Sequence, residues 1–205
     1  MLGRLLIIGG SAFVTFWFLA SQVGFGGDEI PDAEFKPKME ADMPEGFPSF
    51  TPVGSVEVKE YPAYRKAVTS AKSGVAFWTL FAHIKRNGIA MTTPVEMGFD
   101  DNSETNEAQS MAFLYGDRNM GRLGTQGGAE VLDVPRMFVV STGVRGLRSE
   151  QAIQSAKDRL EEWLDRNQAR YARSGPLRVM AYNSPFVPRD QNFFEVQIPV
   201  RPVES

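Results

Sequence analysis

The chain carries few groups able to do covalent chemistry. Its 205 residues include no cysteine and one histidine, His83. Composition therefore excludes disulfides, thiolate zinc sites, iron–sulfur clusters and thiol nucleophiles. A lone imidazole leaves little for nucleophilic catalysis, and no triad or paired-carboxylate signal accompanies it. Gly124–Gly128 lacks the strand-to-helix context that a phosphate cradle needs. The chemistry left is that of binding. His83, when neutral, can coordinate a metal through one ring nitrogen, or it is a plain surface residue. Trp78 offers a flat wall for a ligand or a second packing surface. Met91 and Met97 flank Pro94, and a thioether is a weak ligand, though methionine more simply fills irregular core space. Lys59, Arg65 and Lys66 are cations suited to a ligand's carboxylates, or solvated surface.

These side chains hang on a mixed set of elements. Val56–Tyr61 alternates apolar with charged residues, as a half-buried strand does, and a second strand follows Pro62 over residues 63–71. Ser73 is a good N-cap for a helix from Gly74 to about Asn87, with Phe77, Leu80, Phe81 and Ile84 as its core stripe. At 100° per residue His83 lies about 110° from that stripe's centre, and Trp78 about 100° away on the other flank. Residues 89–97 are extended around Pro94, residues 100–109 form a polar loop, and residues 111–115 are a strand. The second half repeats the order. Strands at Ala129–Val134 and residues 137–144 precede a helix capped by Ser149 and running to about Ala172, with closing strands at residues 176–182 and 193–200. Strands with two segregated helices predict an α+β fold.

Before that domain lies a different composition. No charged side chain occurs from Leu5 to Gly27, and as a helix Leu5–Phe25 would span about 31 Å, one bilayer core. Residues 1–27 thus read as a membrane anchor, an N-terminal apolar helix, or else as a cleaved signal segment that releases a secreted protein. Both readings send the domain out of the cytoplasm, to the periplasmic side in a bacterium. Residues 28–52 hold five prolines and many acids, the pattern of an extended spacer, and residues 53–203 form the domain. Seven acids against two lysines in residues 28–46 account for the chain's net negative charge. The nearly neutral remainder lacks the basic face that nucleic acid requires.

Four strings in order carry a family resemblance. They are Val56-Glu57-Val58-Lys59-Glu60-Tyr61-Pro62-Ala63, then Phe77-x-x-Leu80 with Ile84 and Asn87, then Ile89-Ala90-Met91-Thr92-Thr93-Pro94-Val95. The last is Ala181-Tyr182-Asn183-Ser184-Pro185-Phe186 followed by Asn192-Phe193-Phe194-Glu195-Val196. Together they resemble the SOUL haem-binding family over residues 56–200. The resemblance implies two pseudo-symmetric halves, each a helix packed on antiparallel strands, forming a distorted barrel. It also implies non-covalent, b-type binding of haem or another tetrapyrrole in an exposed hydrophobic cleft, without catalysis. His83 is then the candidate iron ligand, Trp78, Met91 and Met97 candidate cleft residues, and Lys59, Arg65 and Lys66 candidate propionate partners. Some family members place an axial histidine just before the first strand's tyrosine. This chain has Glu60 there, a poorer haem ligand. The expected function is a membrane-tethered haem carrier, buffer or sensor. The alternatives are binding of another small hydrophobic or planar effector, or a tetrapyrrole-modifying enzyme like some plant relatives.

Overall fold

A computed structural model describes residues 35–70, 73–101 and 107–203. The N-terminal apolar segment and the first part of the spacer, with the anchor and signal expectations that fall on them, lie outside the described residues. In chain order the elements are β1 (Val56–Tyr61), β2 (Tyr64–Thr69), α1 (Ser73–Arg86), β3 (Val95–Gly98), β4 (Ser110–Leu114) and β5 (Gly124–Gln126). Then follow β6 (Ala129–Val134), β7 (Met137–Arg145), α2 (Glu150–Arg166), β8 (Tyr171–Arg173), β9 (Arg178–Ala181) and β10 (Phe193–Pro202). Among the described residues no helix is long and apolar enough to cross a membrane.

The strands form one antiparallel sheet in the order β1-β7-β10-β9-β3-β4-β2-β6-β5, with β8 added to the end of β10. The pairing repeats: β4 lies between β2 and β3 as β10 lies between β7 and β9. The opening strands are exchanged, since β1 flanks β7 and β6 flanks β2. The β3–β9 ladder joins the halves, pairing Glu96 with Met180. The expected closure into a distorted barrel does not occur, because the path ends at β1 and β5 without pairing them. Closure is not needed for burial here, because both faces of the sheet are already covered.

The two helices cover one face. Leu80 and Ile84 of α1 pack with Ala67, Phe113 and Val131, while Ile153, Ala156 and Leu160 of α2 pack with Val140, Val179, Val196 and Ile198. Ser149 caps α2, its side chain accepting from the Ala152 N–H at 3.2 Å, which satisfies one of the helix's orphan donors. The expected run to Ala172 stops at Arg166. Asn167 ends it by donating from Nδ2 to the Trp163 carbonyl at 2.8 Å and from its backbone to Leu164. Tyr171 then turns back onto Trp163 and enters β8.

The other face is covered by a segment expected to be spacer. Over residues 35–53 the free-spacer expectation gives way to a packed strap. Phe35, Met43, Phe50 and Val53 lie against Met180, Tyr182 and Phe193, and Phe47 sets its ring edge-on to Tyr61 and Tyr64. Backbone bonds pin it further, from Thr93 N–H to Asp42 O at 3.0 Å and from Glu45 N–H to Gly116 O at 2.9 Å. Prolines stop such a segment from making a regular ladder, but not from packing its aromatic side chains. The strap's last turn lies so close to β7 that a Cβ on Gly143 would stand 2.2 Å from the Thr51 carbonyl oxygen. Gly143→Ala is therefore expected to cost about 1–3 kcal/mol, read as a lowered urea midpoint with an unchanged m-value.

Candidate binding face

The core side of α1 keeps Leu80 and Ile84 of the stripe expected from the sequence but not Phe77, with Phe81 at its edge. The buried residues are Ala76, Leu80, His83 and Ile84, at spacings of four, three and one. The helix is thus rolled toward His83, and the aromatic residues move to its rim and outer side. Val75 is 63% exposed and Trp78 65%, and Phe77 also reaches solvent. These rings form a cluster: Phe77 stands edge-on to Trp78 at 5.4 Å and stacks on Phe81 at 6.0 Å, and Trp78 meets Phe81 at 6.1 Å. Phe113 of β4 backs it at 5.3 Å from Phe77, and the Lys85 ammonium lies 5.4 Å from the Phe81 ring centre. A helix apolar on both its inner and outer sides has a surface left to cover.

His83 is buried, only 2% exposed, where the projection placed it at the edge of the core or at the surface. Its Nε2 lies 2.8 Å from the Tyr115 hydroxyl of β4, and its Nδ1 3.4 Å from Asn87 Nδ2. An iron could reach it only by displacing one of these partners. Burial first, and then the nearby Arg86 charge, holds the imidazole below its ordinary value of 6.5, so it is neutral at pH 7. In this arrangement His83 fastens α1 to β4.

The other candidates do not converge on it. Met91 packs into the α1 cluster and Met97 into the α2 cluster. Arg65 is held by Asp133 at 2.8 and 3.1 Å and by the Met120 and Gly121 carbonyls. Glu60, which the resemblance aligned with a histidine of some members, is paired with Arg136. Lys59 and Lys66 extend from the strap side of the sheet, and each is bound to a buried carboxylate. The exposed hydrophobic cleft that the resemblance implied is not found beneath α1, where Leu80, Ile84 and their partners fill the space. What α1 offers a ligand is an open aromatic face. Hollows elsewhere are differently lined; one of about 420 Å³ lies between Glu161, Leu164, Tyr171 and Arg173.

Under the strap lies a polar network of which sequence reasoning named only Lys59 and Lys66. Glu195 takes Lys59 Nζ at 2.8 Å, Gln197 Nε2 at 2.6 Å and the Tyr182 hydroxyl at 3.3 Å, and also accepts the Thr51 N–H. Glu96 accepts from the Tyr64 hydroxyl at 2.9 Å and from Lys66, with Arg178 Nη1 at 3.5 Å. Arg178 links the two groups through Gln197 Oε1 at 3.0 Å and the Tyr64 hydroxyl at 2.9 Å. A signal was present in the sequence. Glu195 and Gln197 alternate with Phe194, Val196 and Ile198, and period two puts them together on the opposite face. The network joins strands and strap, and its carboxylates are fully engaged, while Arg178 Nη2 is buried without a partner.

With this geometry in hand, the SOUL heme-binding protein family matches residues 47–199. No match was found among curated proteins. Solved structures similar in fold include the C-terminal domain of EcmrR, at 15% identity and a TM-score of 0.55, covering 73% of this chain and 98% of that domain. Against the longer EcmrR chain in a cryo-EM complex with DNA the TM-score is 0.56 at 15% identity, and 73% of this chain corresponds to 58% of that one. A hydrolase from Listeria innocua matches at 9% identity and a TM-score of 0.52, over 73% of this chain and 93% of that one.

Proposed function

Because the chain belongs to the SOUL heme-binding protein family, we propose that it is a membrane-tethered, non-catalytic tetrapyrrole-binding protein whose ligand lies against the outer face of α1. The observation that carries the placement is the roll of α1, which buries His83 and leaves Trp78, Val75 and Phe77 facing solvent. Flat aromatic side chains suit a flat macrocycle, and their contact is worth most when water leaves both faces. Lys85, already beside Phe81, and its neighbour Arg86 are the cations placed to meet propionates in this reading. The bound tetrapyrrole supplies the light-absorbing and redox-active centre. The chain supplies the surface, and without cysteine it has no thioether attachment, so haem is held non-covalently as a b-type group.

The apolar segment at residues 5–27 tethers the domain outside the cytoplasm, where it serves as a carrier, buffer or sensor. Cleavage of that segment would give a secreted form of the same binder. A second reading, a metal-free planar ligand, is favoured by the engagement of both His83 nitrogens. The two readings share a face and are separated by one comparison. Haemin titrated into the full chain in nanodiscs, with empty nanodiscs as reference, is expected to give a saturable Soret shift. Trp78→Ala should weaken binding about tenfold, on the order of 1.4 kcal/mol. Exchange of haemin for protoporphyrin IX should change affinity by less than about threefold. A blank titration overturns the tetrapyrrole reading, and loss of binding on that exchange restores an iron ligand, with the histidine as its candidate.

A further inference from the structure

We propose that one end of the domain, built from the start of the strap, the β7–α2 loop and the loop at residues 183–189, rests on a phospholipid surface through Phe186. The proposal rests on the tethered reading above. Phe186 is 94% exposed, yet it does not sit on a loose loop. Its neighbour Val187 is buried and donates to the Ser184 carbonyl at 3.2 Å, a turn that directs the Phe186 ring outward. Asn183 and Ser184 are fastened to the strap, Asn183 Nδ2 donating to Lys38 O at 2.5 Å and Ser184 donating twice to Glu40 at 2.6 and 3.1 Å. Arg148 Nη1 donates to the Asn183 carbonyl at 3.2 Å. The same end exposes Leu147 and Met39.

The segments that form this end also carry cations, the exposed Lys36, Lys38, Arg145 and Arg189 and the half-buried Arg148, against Glu40, Glu150 and Asp190. The Arg145 guanidinium lies 4.8 Å over the Phe35 ring and donates to the Asp190 carbonyl. An exposed aromatic ring within a belt of guanidinium and ammonium groups is the pattern of a bilayer interface, where rings sit at headgroup depth and cations meet phosphates.

The occupant is argued from the chain itself. Phe35 follows the uncharged run ending at Gly27 by eight residues, which reach at most about 28 Å when fully extended. A tether that short gives an effective concentration on the order of millimolar, so a contact of a few side chains is enough to stay formed. The acids Asp28, Glu29, Asp32 and Glu34 in the tether oppose attraction to an anionic surface. Insertion of the Phe186 ring, more than net charge, holds the contact.

The lack of cysteine makes the test clean. The full chain carrying Pro185→Cys, labelled with an environment-sensitive fluorophore, is reconstituted into vesicles of phosphatidylcholine with a minor share of phosphatidylglycerol. Flotation reports the tether, and quenching by lipid-borne spin labels reports docking. The label at position 185 is expected to be quenched about twofold or more, and a label at Leu123→Cys, beside β5 at the far edge of the sheet, to be unquenched. Adding Phe186→Asp should abolish the quenching while flotation persists. Flotation with an unquenched label at 185 overturns the docking and leaves the tether standing. Failure to float removes the tethered reading and this proposal with it.

Discussion

Glu96→Gln is expected to destabilise the domain by about 3–5 kcal/mol, since it leaves the buried Arg178 and the half-buried Lys66 without their counter-charge. Lys66 and Arg178 both face Glu96 under the strap, and Arg178 is 5% exposed. Equilibrium urea unfolding at pH 7 measures the loss, with the exposed Glu130→Gln as a control expected to stay within about 0.5 kcal/mol of the parent. Acid should act through the same group. Burial by itself pushes the Glu96 carboxyl up, but the charges of Lys66 and then Arg178 outweigh it and hold it below its ordinary value of 4.5. A depressed folded value means that the carboxylate's contribution is complete above the unfolded value. It is lost as pH falls through the lower folded one. The parent's stability should therefore drop below about pH 4.5, and Glu96→Gln should lack that part of the drop. A parallel acid decline in both proteins would show that Glu96 is not the titrating group.

Phe193→Ala is the second large effect, at about 3–5 kcal/mol, and it carries a local signature. The Phe193 ring is fully buried, and Phe35, Phe50 and Tyr182 lie within 6.0 Å of it, centre to centre. Removing it takes away the anchor of the strap as well as filling from the sheet. Limited proteolysis under native conditions should then cut within residues 35–53 at least about tenfold faster, because local opening of the strap becomes easier than global unfolding. Leu160→Ala, beneath α2, costs a comparable about 2–5 kcal/mol but should leave strap cleavage tied to global unfolding. If both variants are cut at the same rate after correction for stability, the strap is not an independent unit held by Phe193.

The regular elements were legible in the sequence wherever a period ran long enough. Strands β2, β4, β6, β7 and β10, helix α1 and the Ser149 cap stand close to where alternation, helical spacing and cap chemistry put them. Strands β5 and β8 are three residues each, too short to show a period. The end of α2 turned on the Asn167 side chain, a local bond that competes with the helix and leaves no periodic trace. The strap was missed for a related reason. Its cohesion comes from the separated rings Phe35, Phe47 and Phe50 and from backbone bonds to distant strands, while its prolines suppress any pattern that would predict order.

The site was harder to read than the fold. On α1, Phe77 and Phe81 are as apolar as Leu80 and Ile84, so hydrophobicity alone does not say which pair turns inward. The roll is decided by His83 finding Tyr115, a residue 32 positions later on β4, and such a partner has no local signature. Lys59 and Lys66 read as propionate partners or as solvated cations on half-exposed strands. They are committed to Glu195 and Glu96 because the strap covers a face that alternation assigns to water. In each case a contact far away in sequence overrode a correct local reading.

The central claim is that the outer side of α1 is where a tetrapyrrole lies. Manganese(III) protoporphyrin IX added to the isotope-labelled full chain in nanodiscs tests it most directly, through paramagnetic broadening of backbone amide signals. Broadening should be strongest at residues 75–81 and at Lys85, and weak along α2 and the strap. Broadening centred on the strap side of the sheet, or none at all, would contradict the account.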